Sequence, residues 1–188
     1  MIRSVRTKKA LADSLKQLME KTTLNKITIQ DIVDNCEFNR QTFYYHFQDI
    51  FDLLGWIYKI EAVESVADYK SYETWNAGFL KIFQYIEANK SFCLNTLNSL
   101  GRDHLDAFLQ AVTYDLIFGV VNEISQKMKV HEEDKKFIAN FYALAFIGLV
   151  IQWMQTGMKE KPEVIIEKLS ELIEGNFLKA LQRYEQKH

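Results

Sequence analysis

A short segment in the first quarter of the chain carries side chains suited to contacting nucleic acid. Residues 40–46 read Arg-Gln-Thr-Phe-Tyr-Tyr-His, so six of the seven side chains can form hydrogen bonds. The amide of Gln41 can pair with the edge of adenine, and the guanidinium of Arg40 can pair with guanine or a phosphate. Thr42 and Tyr45 can each contact a thymine methyl. This chemistry requires that the polar side chains share one face of a helix.

Helical periodicity separates the segment into two faces. At about 100° per residue, Phe43 and Phe47 fall on one side, which we expect to be buried. The rest of the helix presents Gln41, Thr42 and Tyr45 outward, with Tyr44 and His46 on the flanks and Arg40 in the first turn. Phosphate contacts fix the register of a protein on DNA without reading sequence, and Tyr44 is placed for that role.

The residues before this helix predict a helix-turn-helix over 28–46. Thr28 begins a short helix, and Asp31 three residues later resembles a capping box with Asp in place of Glu. A turn is expected over 36–38, followed by Asn39 as the N-cap of the second helix. Thr28 would be a further phosphate donor. The apolar side chains expected to pack beneath the two helices are Ile29, Ile32, Val33, Phe38, Phe43 and Phe47.

The whole chain predicts an all-α fold of about nine helices. It has one proline and seven glycines in 188 residues, which favours long helices with short connections. Beyond an amphipathic first helix from about Val5 to Glu20 and the helix-turn-helix, periodicity predicts helices at about 49–69, 73–89, 92–100, 103–129, 132–156 and 163–186. The longest apolar run, 141–151, is too short to span a membrane, which takes about 20 residues.

Charge divides the chain unevenly. Residues 1–47 carry a net charge of +3, whereas residues 48–188 carry −5, so the basic end is where a polyanion would bind. We therefore predict a DNA-binding domain over 1–47, a three-helix lobe docked on a helical sensing and dimerisation domain over 48–188. Ten aromatic residues of that domain either line a ligand pocket or form its plain core: Trp56, Tyr58, Trp75, Phe79, Phe83, Tyr114, Phe118, Phe141, Phe146 and Trp153.

The sequence lacks the motifs that are typical of several functional classes. Four scattered histidines form no metal motif, and no Gly-rich phosphate loop or nucleophile elbow occurs, so we predict no catalysis, no cofactor and no metal. Cys36 and Cys93 are too far apart for a redox motif and are expected to be reduced thiols. The basic N-terminus lacks an apolar signal segment, so the protein is expected in the cytoplasm, away from membranes. A helical adaptor that binds only protein is the remaining alternative.

Residues 27–47, Ile-Thr-Ile-Gln-Asp-Ile-Val-Asp-Asn-Cys-Glu-Phe-Asn-Arg-Gln-Thr-Phe-Tyr-Tyr-His-Phe, resemble the helix-turn-helix of the TetR family. The opening Thr-x-x-x-Ile and the closing Thr-Phe-Tyr-x-His-Phe are the most specific pieces. The resemblance implies a homodimer that binds a palindromic operator in double-stranded DNA and pairs through its last two helices. The DNA contacts that it implies are Thr28, Arg40, Gln41, Thr42, Tyr44, Tyr45 and His46.

The chain departs from the family pattern at three positions. Glu37 stands where glycine is usual in the turn, so it must adopt a strained backbone or a different turn. Gln41 replaces a small residue and adds a base contact. Ile50 replaces a lysine common at the start of the next helix, which removes one expected phosphate contact.

A narrower resemblance concerns regulators associated with dihydroxyacetone kinase operons. It is carried by Tyr44-Tyr-His-Phe-Gln-Asp-Ile-Phe-Asp-Leu-Leu54 and by the spacing of Gly148, Trp153, Gly157 and Pro162. The resemblance implies an activator of such an operon that answers either a small-molecule effector or a kinase-like co-activator protein.

Overall fold

The computed structural model describes residues 2–63 and 68–185, and among these residues it consists of helices joined by short non-helical segments, with no strand. The all-α fold class is therefore confirmed. The α-helices are α1 Ile2–Met19, α2 Ile29–Asn35, α3 Arg40–His46, α4 Ile50–Tyr58, α5 Trp75–Ala88, α6 Lys90–Leu97, α7 Arg102–Ile124, α8 Glu132–Gln155, α9 Pro162–Ile173 and α10 Asn176–Glu185. Short 3₁₀ turns lie at Leu24–Lys26 and Ser125–Lys127.

The chain divides into two compact units. The first contains residues 1–62 and 89–108, and the second contains residues 63–88 and 109–188. The first unit thus holds α4 and α6 in addition to the three N-terminal helices, because both pack on α1. The assignment of DNA binding to 1–47 and of sensing to 48–188 remains a prediction about function.

The core of the first unit is built from the apolar faces of its short helices. Leu11 and Leu15 of α1 are fully buried, as are Ile32 and Val33 of α2. Phe43 of α3 completes this core with no exposed surface. Seven-residue helices such as α2 and α3 are too short to be stable alone, so this burial is what holds them.

The second unit has an aromatic core. Phe146 of α8 lies 4.4 Å from Phe79 and 6.0 Å from Trp75, measured between ring centroids. Phe83 and Trp153 meet edge to face at 4.9 Å. The rings therefore pack against one another, which assigns these five aromatic residues to the core, one of the two roles that the sequence left open.

Three expectations are corrected by the structure. The helix expected over 49–69 is α-helical only to Tyr58 and continues as a π-helix over Lys59–Val63, and residues 64–67 lie outside the described part of the chain. The helix expected over 163–186 is two helices, because Gly175 adopts a φ of +71° between α9 and α10. Phe141, grouped with the pocket or core aromatics, is 61% exposed.

By length and composition, the structure has two helical segments that could cross a membrane, 102–127 and 132–155, each partly buried. Buried side chains of both segments, such as Leu116 and Val120 in the first and Ile138 and Val150 in the second, belong to the core of the second unit. The buried core helices of other proteins can be equally long and apolar, so length and composition alone do not support a membrane segment here.

Candidate nucleic-acid interface

The N-terminus of α2 is closed by the capping box that the sequence predicts. The Thr28 hydroxyl accepts a hydrogen bond from the backbone N–H of Asp31 at 3.2 Å. The Asp31 carboxylate accepts in return from the backbone N–H of Thr28 at 2.8 Å and from its hydroxyl at 2.7 Å. These bonds lower the pKa of Asp31, the side-chain bond more than the backbone bond. The exposed Thr28 hydroxyl therefore already gives its proton to a carboxylate.

The turn between α2 and α3 is a Schellman motif with a glutamate at its left-handed position. Glu37 has a φ of +58°, so the strained backbone expected there is present. The N–H of Phe38 donates to the carbonyl of Val33 at 2.9 Å, and the N–H of Glu37 donates to Asp34 at 3.4 Å. These two bonds define the motif and satisfy two carbonyls in the last turn of α2.

The side chain of Asn39 caps α3, as predicted. Its carbonyl oxygen accepts from the backbone N–H of Thr42 at 2.8 Å and from the Thr42 hydroxyl at 3.0 Å. The hydroxyl proton of Thr42 is thus used within the cap. Thr42 can therefore offer a DNA base its methyl group rather than a hydroxyl donor.

The two faces of α3 are arranged as the periodicity predicts. Phe43 is 0% exposed and Phe47 is 3% exposed, so both lie in the core. Tyr45 is 82% exposed and Tyr44 is 53% exposed. Of the other predicted contact residues, Arg40 and Gln41 are exposed, whereas Thr42 and His46 are half-buried.

His46 lies at the edge of this face between an aromatic residue and a cation. Its ring meets that of Tyr45 edge to face at 4.9 Å. Burial of the imidazole, and to a smaller extent the positive charge of Lys8, lower the pKa of His46 below its ordinary value. His46 is therefore neutral near pH 7 in the free protein, able to donate a hydrogen bond without carrying a charge.

The start of α4 offers carboxylates where the family commonly has a lysine. Asp49 caps the helix by accepting from the N–H of Asp52 at 2.8 Å, and Asp52 accepts from the N–H of Gln48 at 3.0 Å. Ile50 is half-buried. Position 50 therefore offers no cation for a phosphate contact, as the isoleucine in the sequence indicates.

Two residues that bear on this region were not singled out from the sequence. Lys8 of α1 lies over the rings of Phe47 and Trp56. Asn95 of α6 binds the connection between α1 and α2. Neither has a sequence signal, because each contact joins residues that are more than 35 positions apart.

Comparison with known proteins decides the class of protein. A TetR C-terminal family model, described as the transcriptional regulator C-terminal region, matches residues 73–175, more than half of the chain. The chain belongs to the TetR family of transcriptional regulators. The helix-turn-helix resemblance and the family match lie in different parts of the chain, so they support the assignment separately.

Individual relatives agree with this family. The chain is 27% identical over 151 residues to the HTH-type dhaKLM operon transcriptional activator DhaS of Lactococcus lactis subsp. lactis, covering 79% of this chain and 80% of that protein. The solved structure of the dihydroxyacetone kinase operon activator DhaS has a TM-score of 0.73 at 23% identity and covers 96% of this chain and 99% of that one. NalD, a repressor from Pseudomonas aeruginosa, has a TM-score of 0.67 at 14% identity, covering 95% and 97%.

These relationships support a regulator over an enzyme or a helical adaptor. TetR-family regulators are not enzymes, and they bind DNA and act as dimers. The two structural matches are below 25% identity and show the shared fold alone. The similarity to DhaS bears out the narrower resemblance noted in the sequence.

Proposed function

We propose that this TetR-family regulator reads its operator with the outward face of α3, one copy of the helix entering the major groove at each half-site. The observation that carries the proposal is the division of α3, where Phe43 is fully buried and Tyr45, two residues later, is 82% exposed. Most of the Tyr45 side chain thus lies outside the core, beside the exposed side chains of Gln41 and Arg40.

The proposed contact residues differ in which of their groups remain free to bind DNA. Gln41 and Arg40 carry exposed hydrogen-bonding groups for base edges, and Tyr45 with the methyl of Thr42 supplies apolar contact to thymine. We assign phosphate contacts to Tyr44, His46 and Thr28. Thr28 contributes least to affinity, because its hydroxyl must leave Asp31 before it can donate to a phosphate.

A homodimer supplies the specificity that one recognition helix lacks. A single short helix contacts too few base pairs to find one site in a genome, whereas two half-sites about 34–36 Å apart solve this in a palindromic operator. We place the dimer interface on the last two long segments of the chain, α8 and α9 with α10. Their exposed apolar side chains include Phe137, Phe141, Leu144, Leu149, Leu172 and Leu178.

Gly148 supports a close approach of α8 to a partner helix. A Cβ atom built at this glycine would meet no atom within 4 Å, so its surface is open. Small residues at helix faces let two backbones come near each other. The flanking side chains of Leu144 and Leu149 are 55% and 39% exposed, which leaves apolar area for a second copy to cover.

We further propose that the protein acts in the cytoplasm and activates a dihydroxyacetone kinase operon. DhaS is named as an activator of such an operon. The effector is a small molecule or a kinase-like co-activator protein. The packed aromatic core of the second unit favours a surface effector site. One described recess of about 290 Å³ lies there between α5 and α9, lined by Tyr72, Trp75, Asn76, Ser170, Glu171, Ile173 and Glu174.

A salt titration of binding to the DNA upstream of the protein's own gene tests the function. A regulator should bind one segment specifically, with an affinity that falls steeply as salt rises. Addition of dihydroxyacetone, or of the kinase-like proteins encoded nearby, then separates the two effector classes. Failure to bind any DNA specifically would leave the helical adaptor as the better account.

A further inference from the structure

The side chain of Lys8 rests in a cradle made by two aromatic rings. Its Nζ atom lies 5.4 Å from the centroid of the Phe47 ring and 5.9 Å from that of Trp56. The two rings meet edge to face at 5.9 Å, so they form one surface. Lysine has a flexible stem, and contact with two rings restricts where its ammonium can go.

The cradle places this ammonium beside the end of the recognition helix. Phe47 is the C-cap of α3, and His46 directly precedes it. The positive charge of Lys8 acts on the His46 imidazole and helps to lower the pKa of His46. Lys8 and His46 are therefore close enough to interact electrostatically, near the C-terminal end of α3.

Lys8 has no ion-pair partner among the described residues. At the start of α4, the carboxylates of Asp49 and Asp52 accept backbone N–H groups. The two rings stabilise the ammonium, and Lys8 is only partly buried, so its charge is accessible to an anion from solvent.

We propose that Lys8 is a phosphate-binding residue that, with His46, holds one DNA backbone phosphate beside the C-terminal end of α3. It supplies the cation that Ile50 does not. The inference rests on the proposed function, because it takes α3 to be the helix that enters the groove. Lys8 positions the protein on DNA and reads no base.

The matched control is a second lysine held over an aromatic ring. Lys81 of α5 lies 5.7 Å from the centroid of the Tyr69 ring, in the compact unit that lacks α3. The substitutions Lys8→Met and Lys81→Met thus remove the same kind of contact. Lys8→Arg keeps the charge and the stacking on the rings.

The experiment measures operator affinity of the full-length variants by fluorescence anisotropy from about 50 to 200 mM salt. Removing one phosphate contact reduces the slope of log affinity against log salt by about 1. We expect Lys8→Met to show this reduction, with weaker binding to all DNA sequences alike. Lys8→Arg and Lys81→Met should keep the wild-type slope, and DNA-free thermal melts should show that all three variants are folded.

A measurement on the wild-type protein makes the test independent of how the variants fold. Amine acetylation followed by mass spectrometry should find Lys8 protected in the operator complex and Lys81 equally reactive with or without DNA. Wild-type binding with an unprotected Lys8, or a Lys8→Met slope equal to wild type, would overturn the Lys8 assignment and leave the proposed function standing. A wild-type protein that binds no operator would overturn both.

Discussion

The side-chain amide of Asn95 donates a hydrogen bond to the backbone carbonyl of Thr22 at 2.7 Å, which ties α6 to the connection between α1 and α2. The same amide donates to the carbonyl of Met19 at 3.1 Å. The amide oxygen of Asn95 accepts from the N–H of Leu24 at 2.8 Å. One side chain therefore satisfies three backbone groups at the end of α1, next to the helix-turn-helix.

Asn95→Ala should destabilise the first unit. The change leaves three backbone groups without this partner, and the loss amounts to about 1–3 kcal/mol, because the site is half-buried and water replaces part of the bonding. Denaturant unfolding measures the difference in the free energy of unfolding. Asn98→Ala is the matched control. The exposed side-chain amide of Asn98 donates to the carbonyl of Leu94 at the end of the same helix, so this change should alter stability by less than about 0.5 kcal/mol. Equal effects for the two variants would contradict a special role for Asn95.

Glu37→Gly should stabilise the protein. A non-glycine residue in the left-handed region costs about 1–2 kcal/mol, whereas glycine loses about 0.5–1 kcal/mol more backbone entropy on folding. The expected gain in the free energy of unfolding is therefore up to about 1.5 kcal/mol. Thermal or denaturant unfolding measures it. Glu37→Ala removes the carboxylate but keeps a non-glycine residue in the left-handed region. A similar gain in stability in that variant would show that the charge of Glu37, and not backbone strain, is the cause.

Lys8→Met should raise the pKa of His46, because it removes one of the two causes that lower it. The pKa should still lie below the ordinary value, since burial of the imidazole remains. NMR titration of the imidazole, assigned with His46→Gln, measures the shift. An unchanged or lower pKa in Lys8→Met would show that the two side chains do not interact.

The lowered pKa of His46 also has a consequence for stability. Between the folded and the unfolded pKa, the unfolded chain binds more protons than the folded chain. The contribution of His46 to the free energy of unfolding therefore rises with pH across that window and is lost as the pH falls. The dependence should be shallower in Lys8→Met, since its pKa lies nearer the unfolded value.

Phe141→Glu should weaken the proposed dimer. Phe141 lies on α8 with 61% of its surface exposed, and a carboxylate there would be buried in the interface without a partner. A change of about 2 kcal/mol or more, as for an interface hot spot, raises the dimer dissociation constant about 30-fold. Analytical ultracentrifugation measures it. Leu100→Glu, on a 79% exposed residue of the other unit, should leave the dimer intact. A dimer of wild-type strength in Phe141→Glu would place the interface elsewhere.

Local sequence signals predicted the helix-turn-helix well. Thr28 and Asn39 act within three residues of their partners, so both caps could be read directly from the residue order. The strained backbone at Glu37 was one of two outcomes expected from comparison with the family pattern. Helical periodicity also separated buried Phe43 from exposed Tyr45. Such features depend on the backbone of one short segment.

Features that depend on distant contacts could not be predicted. The three bonds of Asn95 span 71 to 76 positions, and the ring cradle of Lys8 joins α1 to residues after α3. Helical periodicity did not predict the break at Gly175, because Phe177 and Leu181 of α10 continue the apolar spacing of α9. The involvement of the Thr42 hydroxyl in the Asn39 cap required the geometry of both side chains.

The central claim is that α3 presents one side to DNA and the other to the core. Selection of binding sites from random DNA, with the wild type, Gln41→Ala, Tyr45→Ala and Phe43→Ala compared, tests it most directly. Wild type should enrich a palindrome with half-sites about one helical turn apart. Gln41→Ala and Tyr45→Ala should stay folded yet lose base preference in each half-site, whereas Phe43→Ala should lose about 3–5 kcal/mol of stability. Enrichment of an unchanged palindrome by both Gln41→Ala and Tyr45→Ala would contradict the claim.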